Sequence, residues 1–330
     1  MRTECVVVVV AAVACIGAGS SQRLQTVRPE PERRLEAPPG QILSVAVSRG
    51  ASVVLAATDA GHLRVWKPAS APPRDLIALE QRVTAVAVSP EGRTMAVGSE
   101  HGIQVWDTDR LSPVRQLRTG AGHGVTDLAY SADGRWLAVG KADGAIGLLA
   151  VAGWRWVGRA KHLGSPVWDL AFSPAGDTLA CGSGGGQGLV LTVPDLALAT
   201  QVRLPALYSQ RTVIGATARI AAGTSPFGYT GLWELPAMKR MRLVEGEVLG
   251  TSAGGSLLVG QRPLAYEPRP RARYEAPTLL VAYAPRTGEL EWQINTGAMT
   301  GAACSPDDRW VLTWGHSSSV KMWRMPGLAR

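Results

Sequence analysis

Cysteine and phenylalanine are the scarce residues of this chain, at four and two in 330 positions. Cys5 and Cys15 lie at the N-terminus, which leaves Cys181 and Cys304 for the body of the protein. Two thiols so far apart make no disulfide framework, and no Cys/His spacing fits a metal site. Both are expected inside strands of the fourth and seventh repeats defined below, as buried thiols. The apolar run after Cys5 ends near Ala18, short of the ~18 or more residues of a membrane-spanning helix. That stretch reads instead as a signal peptide over residues 1–20. It has a short charged start, an apolar centre, and small residues at Ala18-Gly19-Ser20 that suit a peptidase. Ala12-Val13-Ala14-Cys15 also resembles a lipoprotein box with Ala12 in the usual leucine place, so lipid attachment through Cys15 is the alternative, and a buried N-terminal strand a third. The chain is thus expected to be exported, to the periplasm or the cell surface.

What the sequence has in quantity is glycine (38), proline (22) and tryptophan (11), with 46% hydrophobic residues. A core of good size and many tight turns follow from these. The net charge of +8 and pI near 9.7 favour polyanionic partners only weakly, and arginine-rich composition is the preferred account of them. The stretch Gly122–Gly144 sets the pattern: an alternating run, a Ser131-Ala-Asp-Gly134 turn, a second apolar run and a second Asp-Gly turn. Period-two spacing joined by Asp-Gly turns marks an antiparallel meander.

Variants of that stretch recur. The hydroxyl residue closing the first strand falls at Ser48, Ser89, Ser131, Ser173, Thr217, Ser252 and Ser305, a mean step of about 43 residues. The residue two before each is Ala46, Ala87, Ala129, Ala171, Gly215, Gly250 or Ala303, always small. The residue three before is Val45, Val86, Leu128, Leu170, Ile214, Leu249 or Ala302, always apolar. Inner strands crowd towards the axis of a radial array, so one face must be small while the other packs on the next sheet. The expectation is an all-β fold, a seven-bladed β-propeller of four-stranded antiparallel blades over residues 43–330. Residues 21–42 form a polar linker and a ring-closing strand. The last repeat runs out after its third strand, and Arg33–Ala37 is the natural donor of the fourth.

Tryptophan ends the third strand at Trp66, Trp106, Trp233 and Trp323. With Trp106-Asp107, Gly122-His123, Ser89-Pro-Glu-Gly and Ser305-Pro-Asp-Asp, the chain resembles the WD-repeat family from about Leu43 to Arg330, in a degenerate form with a bacterial look. The resemblance implies a propeller that scaffolds protein partners. It also implies a buried His–Asp–hydroxyl–Trp network, of which His123 and Asp143 match two positions while Val139 and Leu149 replace the other two.

Several motifs resemble sites of chemistry. Gly182–Gly188 is glycine-rich but runs into a strand, so it reads as a turn and not as a phosphate loop. Gly250-Thr-Ser-Ala-Gly254 likewise precedes a strand, where a nucleophile elbow needs a helix. Asp127 and Asp169 occupy equivalent places in neighbouring inner strands, and a hydrogen bond to the adjoining turn is expected of each. His62, His101 and His316 fall in second-to-third turns of blades one, two and seven, on one rim, where they could bind a metal or sense pH, contact a partner, or stand as solvated turn residues, the last being preferred. The same face of blade six carries an insertion with Arg262, Arg269, Arg271, Arg273 and Tyr274. It suits carboxylates, phosphates or an acidic protein surface, and reads equally as a surface insertion without a ligand.

The functional expectation is a non-catalytic, exported interaction scaffold. It is a monomer with no cofactor or metal and no specific nucleic acid. Its partner is a protein, of acidic character, on one propeller face, and it meets membrane only through a lipid at Cys15. The rival is an exported propeller enzyme of lyase, lactonase or quinone-dependent dehydrogenase type. Its site would lie at the channel mouth, among Leu43, Thr84, Thr126, Trp168, Thr212, Glu247 and Thr300. One acid among threonines is poor material for proton transfer.

Overall fold

The computed structural model describes residues 25–26, 31–37, 39–67, 71–76, 82–120, 124–161, 163–206, 211–215, 217, 219–225, 227, 229–252, 257–261, 279–284, 287, 289–296, 299–315 and 319–325. These form seven sheets, and consecutive stretches of chain fill consecutive sheets. Blade one runs outwards as Ile42–Val47, Val54–Thr58, Leu63–Lys67 and Ala71–Leu76. Blade two begins at Val83–Val88 and ends at Ser112–Leu117. Blades three and four run from Val125–Tyr130 to Arg155–Lys161 and from Val167–Phe172 to Leu198–Arg203. Blade five runs from Arg211–Ile214 to Lys239–Glu245, and blade six from Glu247–Thr251 to Leu290–Asn295. Blade seven comprises Gly301–Cys304, Trp310–Trp314 and Ser319–Arg324.

Its fourth strand is Arg33–Glu36, antiparallel to Ser319–Arg324, with Arg33 opposite Met322 and Glu36 opposite Ser319. The ring is therefore closed by an N-terminal strand, as the truncated last repeat requires. Gln25–Thr26 adds something the repeat pattern did not announce. It pairs parallel to the outer strand of blade six, Gln25 opposite Trp292, and makes that sheet five-stranded.

The serine anchors work as local scaffolds. Ser131 N–H donates to Trp136 O at 3.0 Å, and the Ser131 hydroxyl accepts from Trp136 N–H and donates to Asp133 Oδ1. Gly134 then supplies the positive φ (71°) the turn needs. Ser48, Ser89, Ser173 and Ser305 make the same backbone bond to the residue five further on.

In blade five that bond is made by Gly215, to Ile220 O at 2.8 Å, so the anchor there is Gly215 and not Thr217. The step from Ser173 becomes 42 residues, in line with its neighbours. A search for hydroxyls misses a glycine in that place and settles on the nearest threonine. The correction shifts the strand register by two: Thr212 and Val213 take the positions assigned to Ile214 and Gly215.

Seven apolar clusters of the described residues fill the seven gaps between neighbouring blades. One joins blade seven to blade one through Leu312, Val320 and Met322 against Val45, Val54 and Trp66. Another joins blades four and five through Val190 and Val202 against Ile214 and Trp233. Each fully buried Val, Leu or Ile contributes roughly 1.5–3 kcal/mol. Core and ring are thus one object. Small residues on the second strands set the inter-blade distance: a β-carbon on Gly98 or Gly140 would lie 2.6 or 2.7 Å from Val125 or Val167 of the next blade.

Candidate functional site: the channel mouth and the turn face

The inner strands enclose a cavity of about 900 Å³ on the ring axis. Leu43, Thr84, Thr126, Trp168, Glu247 and Thr300 line it, as expected of them. Thr212 does not. It is fully buried, because the inner strand of blade five is pressed against blade four. Where blade five recedes, the inner strands of blades four and six approach each other. A β-carbon on Gly250 would stand 3.9 Å from Asp169 Oδ1.

Asp127 is structural, though not in the manner expected. Its Oδ1 accepts from Leu128 N–H (2.9 Å), and its Oδ2 accepts from Leu170 N–H (2.8 Å) on the inner strand of blade four. The contact is to the neighbouring blade and not to the adjoining turn. Ser44 makes the same link one pair earlier, its Oγ accepting from Val86 N–H at 3.2 Å. In blades one and three the position four before the anchor thus staples one inner strand to the next. Cys181 is buried, and burial, with the charges of Asp169 and Asp127 behind it, raises its thiol well above the ordinary value. Cys304, expected to be buried, is half-buried on the cavity wall, and desolvation, helped by Asp308, still raises its thiol. Neither thiol is poised as a nucleophile.

Second-to-third turns and inter-blade connections emerge on one face. His62 is half-buried and His101 exposed, each in such a turn. His316 and the Arg262–Tyr274 insertion, with Arg269, Arg271 and Arg273, lie outside the described residues. The flanking strands Leu257–Gln261 and Leu279–Tyr283 are the second and third of blade six, so the insertion is spliced into the histidine-bearing face. No group of three or more His, Cys, Asp or Glu side chains placed to hold a metal occurs among the described residues.

The same face carries exposed aromatic residues that the charge pattern does not mark. Trp168 is 47% exposed at the channel mouth. A β-carbon on Gly184 would lie 3.1 Å from its Nε1, so the indole rests over the blade-four turn. The glycine run is therefore the shelf of this tryptophan, with Gly185 and Gly186 at φ 78° and 76°. Phe227, in the blade-five turn, is 75% exposed, and Tyr229 beside it is exposed as well. Phe227 is one of the two phenylalanines, in a Ser-Pro-Phe-Gly turn between strands. That was the signal available.

His123 lies outside the described residues. Asp143 Oδ1 accepts from Ala145 N–H at 3.1 Å and shapes its turn. In blade seven the hydroxyl–indole part of the network survives, with Trp323 Nε1 donating to Thr313 Oγ1 at 2.9 Å between two buried side chains. Blade three has lost it, and a β-carbon on Gly147 would lie 2.4 Å from the Trp156 ring, which fills that space from the outer strand.

The family description "WD domain, G-beta repeat" matches residues 76–107, 113–148 and 159–187, and the sheet order extends the pattern round the ring. Three stretches of this propeller are thus WD repeats. WD-repeat propellers are typically non-catalytic scaffolds. The sequence is 30% identical over 166 residues to the meiotic recombination protein rec14 of Schizosaccharomyces pombe, covering 48% of this chain and 52% of rec14. It is 28% identical over 145 residues to the target of rapamycin complex subunit wat1 of the same yeast, covering 41% of this chain and 44% of wat1. The chain spans about half the length of the curated relatives it matches. Both are eukaryotic, so they lend no support to the bacterial look of the repeats. A chain of the solved "Crystal Structure of Mitotic Checkpoint Complex" superposes with a TM-score of 0.70 at 18% identity. The match covers 94% of this propeller and 99% of that chain, a likeness of fold alone.

Proposed function

We propose that this WD-repeat propeller is an exported scaffold that holds a protein partner on its turn face, over blades four to six. One observation carries the reading. Trp168 and Phe227 stand 47% and 75% exposed on that face, beside the point where the arginine-rich insertion is spliced in. Exposed aromatic rings next to arginines are the composition of interface hot spots, where a few such residues supply most of the affinity. The insertion's arginines favour an acidic rim on the partner, through charge-assisted bonds that salt screens. The names of wat1 and of the checkpoint structure are those of multi-protein assemblies, which is in keeping with a scaffold.

The test is a pull-down from the native exported fraction, with wild type beside two variants. Trp168→Ala with Phe227→Ala is expected to lower partner affinity by ~2 kcal/mol or more, about thirtyfold. Replacing Arg269, Arg271 and Arg273 by alanine weakens binding less and flattens its salt dependence. Partners retained equally by all three proteins would show that another face docks them.

Export has its own test. Protein recovered from cells is expected to lack residues 1–20 and to lie outside the cytoplasm, and Cys15→Ser releases it to the soluble fraction if Cys15 carries lipid. An intact N-terminus on cytoplasmic protein would refute export while leaving the docking face untouched.

A further inference from the structure

Apart from the aromatic side chains of the turn face, the large exposed hydrophobics among the described residues are Val114, Val157, Leu198 and Leu243. Their placement is regular, with one on the outermost strand of each of blades two, three, four and five. Basic side chains share those strands. Arg115, Arg155, Arg159, Arg203, Lys239, Arg240 and Arg242 are all exposed, and none makes an ion pair among the described residues. The four strands include a single carboxylate residue, Glu245. Arg159 is already held in place, its guanidinium 4.8 Å from the centre of the Trp156 ring. No strand pairs with the outer edges of these four blades among the described residues. On blade six, by contrast, the outer edge does receive an added strand, Gln25–Thr26.

We infer that the outer edges of blades two to five form a second docking wall, where an extended, acidic and aliphatic segment of a partner protein adds as a fifth strand. The edge's free N–H and C=O groups supply backbone pairing. The arginines meet alternate carboxylates, and the exposed aliphatic residue of each edge meets an aliphatic side chain between them. Charge complementarity selects the sign of the occupant, and the strand on blade six shows that this kind of edge takes an addition. Four of seven blades describe a convex arc, so a flat bilayer would meet one or two edges at a time. The isolated aliphatic residues suit a peptide better than the base-stacking of a nucleic acid. Basic residues on an edge also discourage like copies of this chain from pairing there, leaving the edge open to an acidic strand.

The probe is a fluorescent synthetic peptide of about ten residues, alternating glutamate with valine and threonine, titrated into the full chain. Saturable binding is expected, with slowed amide exchange over Arg155–Lys161 and Lys239–Glu245. Changing the peptide's glutamates to lysine, or methylating alternate backbone amides, should weaken binding by about tenfold or more. Arg155→Glu, Arg240→Glu and Arg242→Glu together should do the same without moving the melting temperature, because all three side chains are exposed. Trp168→Ala with Phe227→Ala should leave peptide binding intact, which separates this wall from the turn face. The inference fails if binding does not saturate or if the methylated peptide binds equally well. It also fails if single-stranded DNA or anionic phosphatidylglycerol vesicles bind more tightly than the peptide.

Discussion

Deleting residues 21–40 opens the ring, and the expected result is a protein that melts about 6 °C lower and associates in solution. The deletion removes Arg33–Glu36 from its ladder with Ser319–Arg324 and takes away Leu35 and Ala37, which pack with Val45, Trp66 and Met322. It also removes the carbonyls of Pro39 and Glu36, which accept from Thr58 Oγ1 and Arg64 Nη1 in blade one. A few net hydrogen bonds at ~1 kcal/mol each, with the apolar burial, amount to roughly 4 kcal/mol. Association follows because Ser319–Arg324 becomes an unpaired edge beside a gap. Calorimetry and size-exclusion chromatography on the truncated and full chains decide the matter. A shorter deletion of residues 21–28 removes only the strand on blade six and should cost far less. Equal melting temperatures and a monomeric truncated chain would mean that the N-terminal strand does not hold the ring shut.

The ring and its closure were legible because each rests on a local rule applied repeatedly. A hydroxyl at the first turn, small residues near the axis and a missing last strand are sequence facts with direct geometric consequences. The rule failed where its chemistry was absent: Gly215 has no hydroxyl to mark the turn, and Thr217 stood close enough to replace it. That slip placed Thr212 at the channel mouth, where the structure buries it. Asp127 was legible as structural but not in its partner, since a bond to Leu170 depends on how two blades sit together and no spacing within one repeat encodes it. The docking face was read from its charges, and the exposed rings of Trp168 and Phe227 were missed as partner contacts. Aromatic residues in a β protein are ordinarily core, and only the fold shows which ones have no neighbour above them. The basic outer strands escaped notice for a related reason. Each holds only one to three basic residues, and the strip exists only once the blades stand side by side.

Gly182→Ala is expected to be the most damaging single substitution of its kind. Alanine is ordinarily the better residue in a strand interior, because glycine loses more backbone freedom on folding and packs nothing. At position 182 the added β-carbon would lie 1.9 Å from Thr212 O, 2.7 Å from Thr212 C and 3.2 Å from Val213 Cα. All three are backbone atoms, so no rotamer change relieves the overlap, and the inner strand of blade five must move as a unit. That strand carries Val213 and Ile214, which belong to the clusters joining blade five to both of its neighbours. The expected cost is about 3 kcal/mol or more, at the upper end for overpacking. Gly140→Ala meets only the Val167 and Leu170 side chains, at 2.7 Å and beyond, and should cost about 1–2 kcal/mol as those side chains adjust. Gly250→Ala finds only Asp169 Oδ1 at 3.9 Å, ordinary contact, and should lie within about 0.5 kcal/mol of wild type. Urea unfolding of the three variants checks the ranking. If Gly182→Ala matches Gly250→Ala in stability, blade five is not seated against blade four as described. The buried placement of Thr212 would then have to be given up as well.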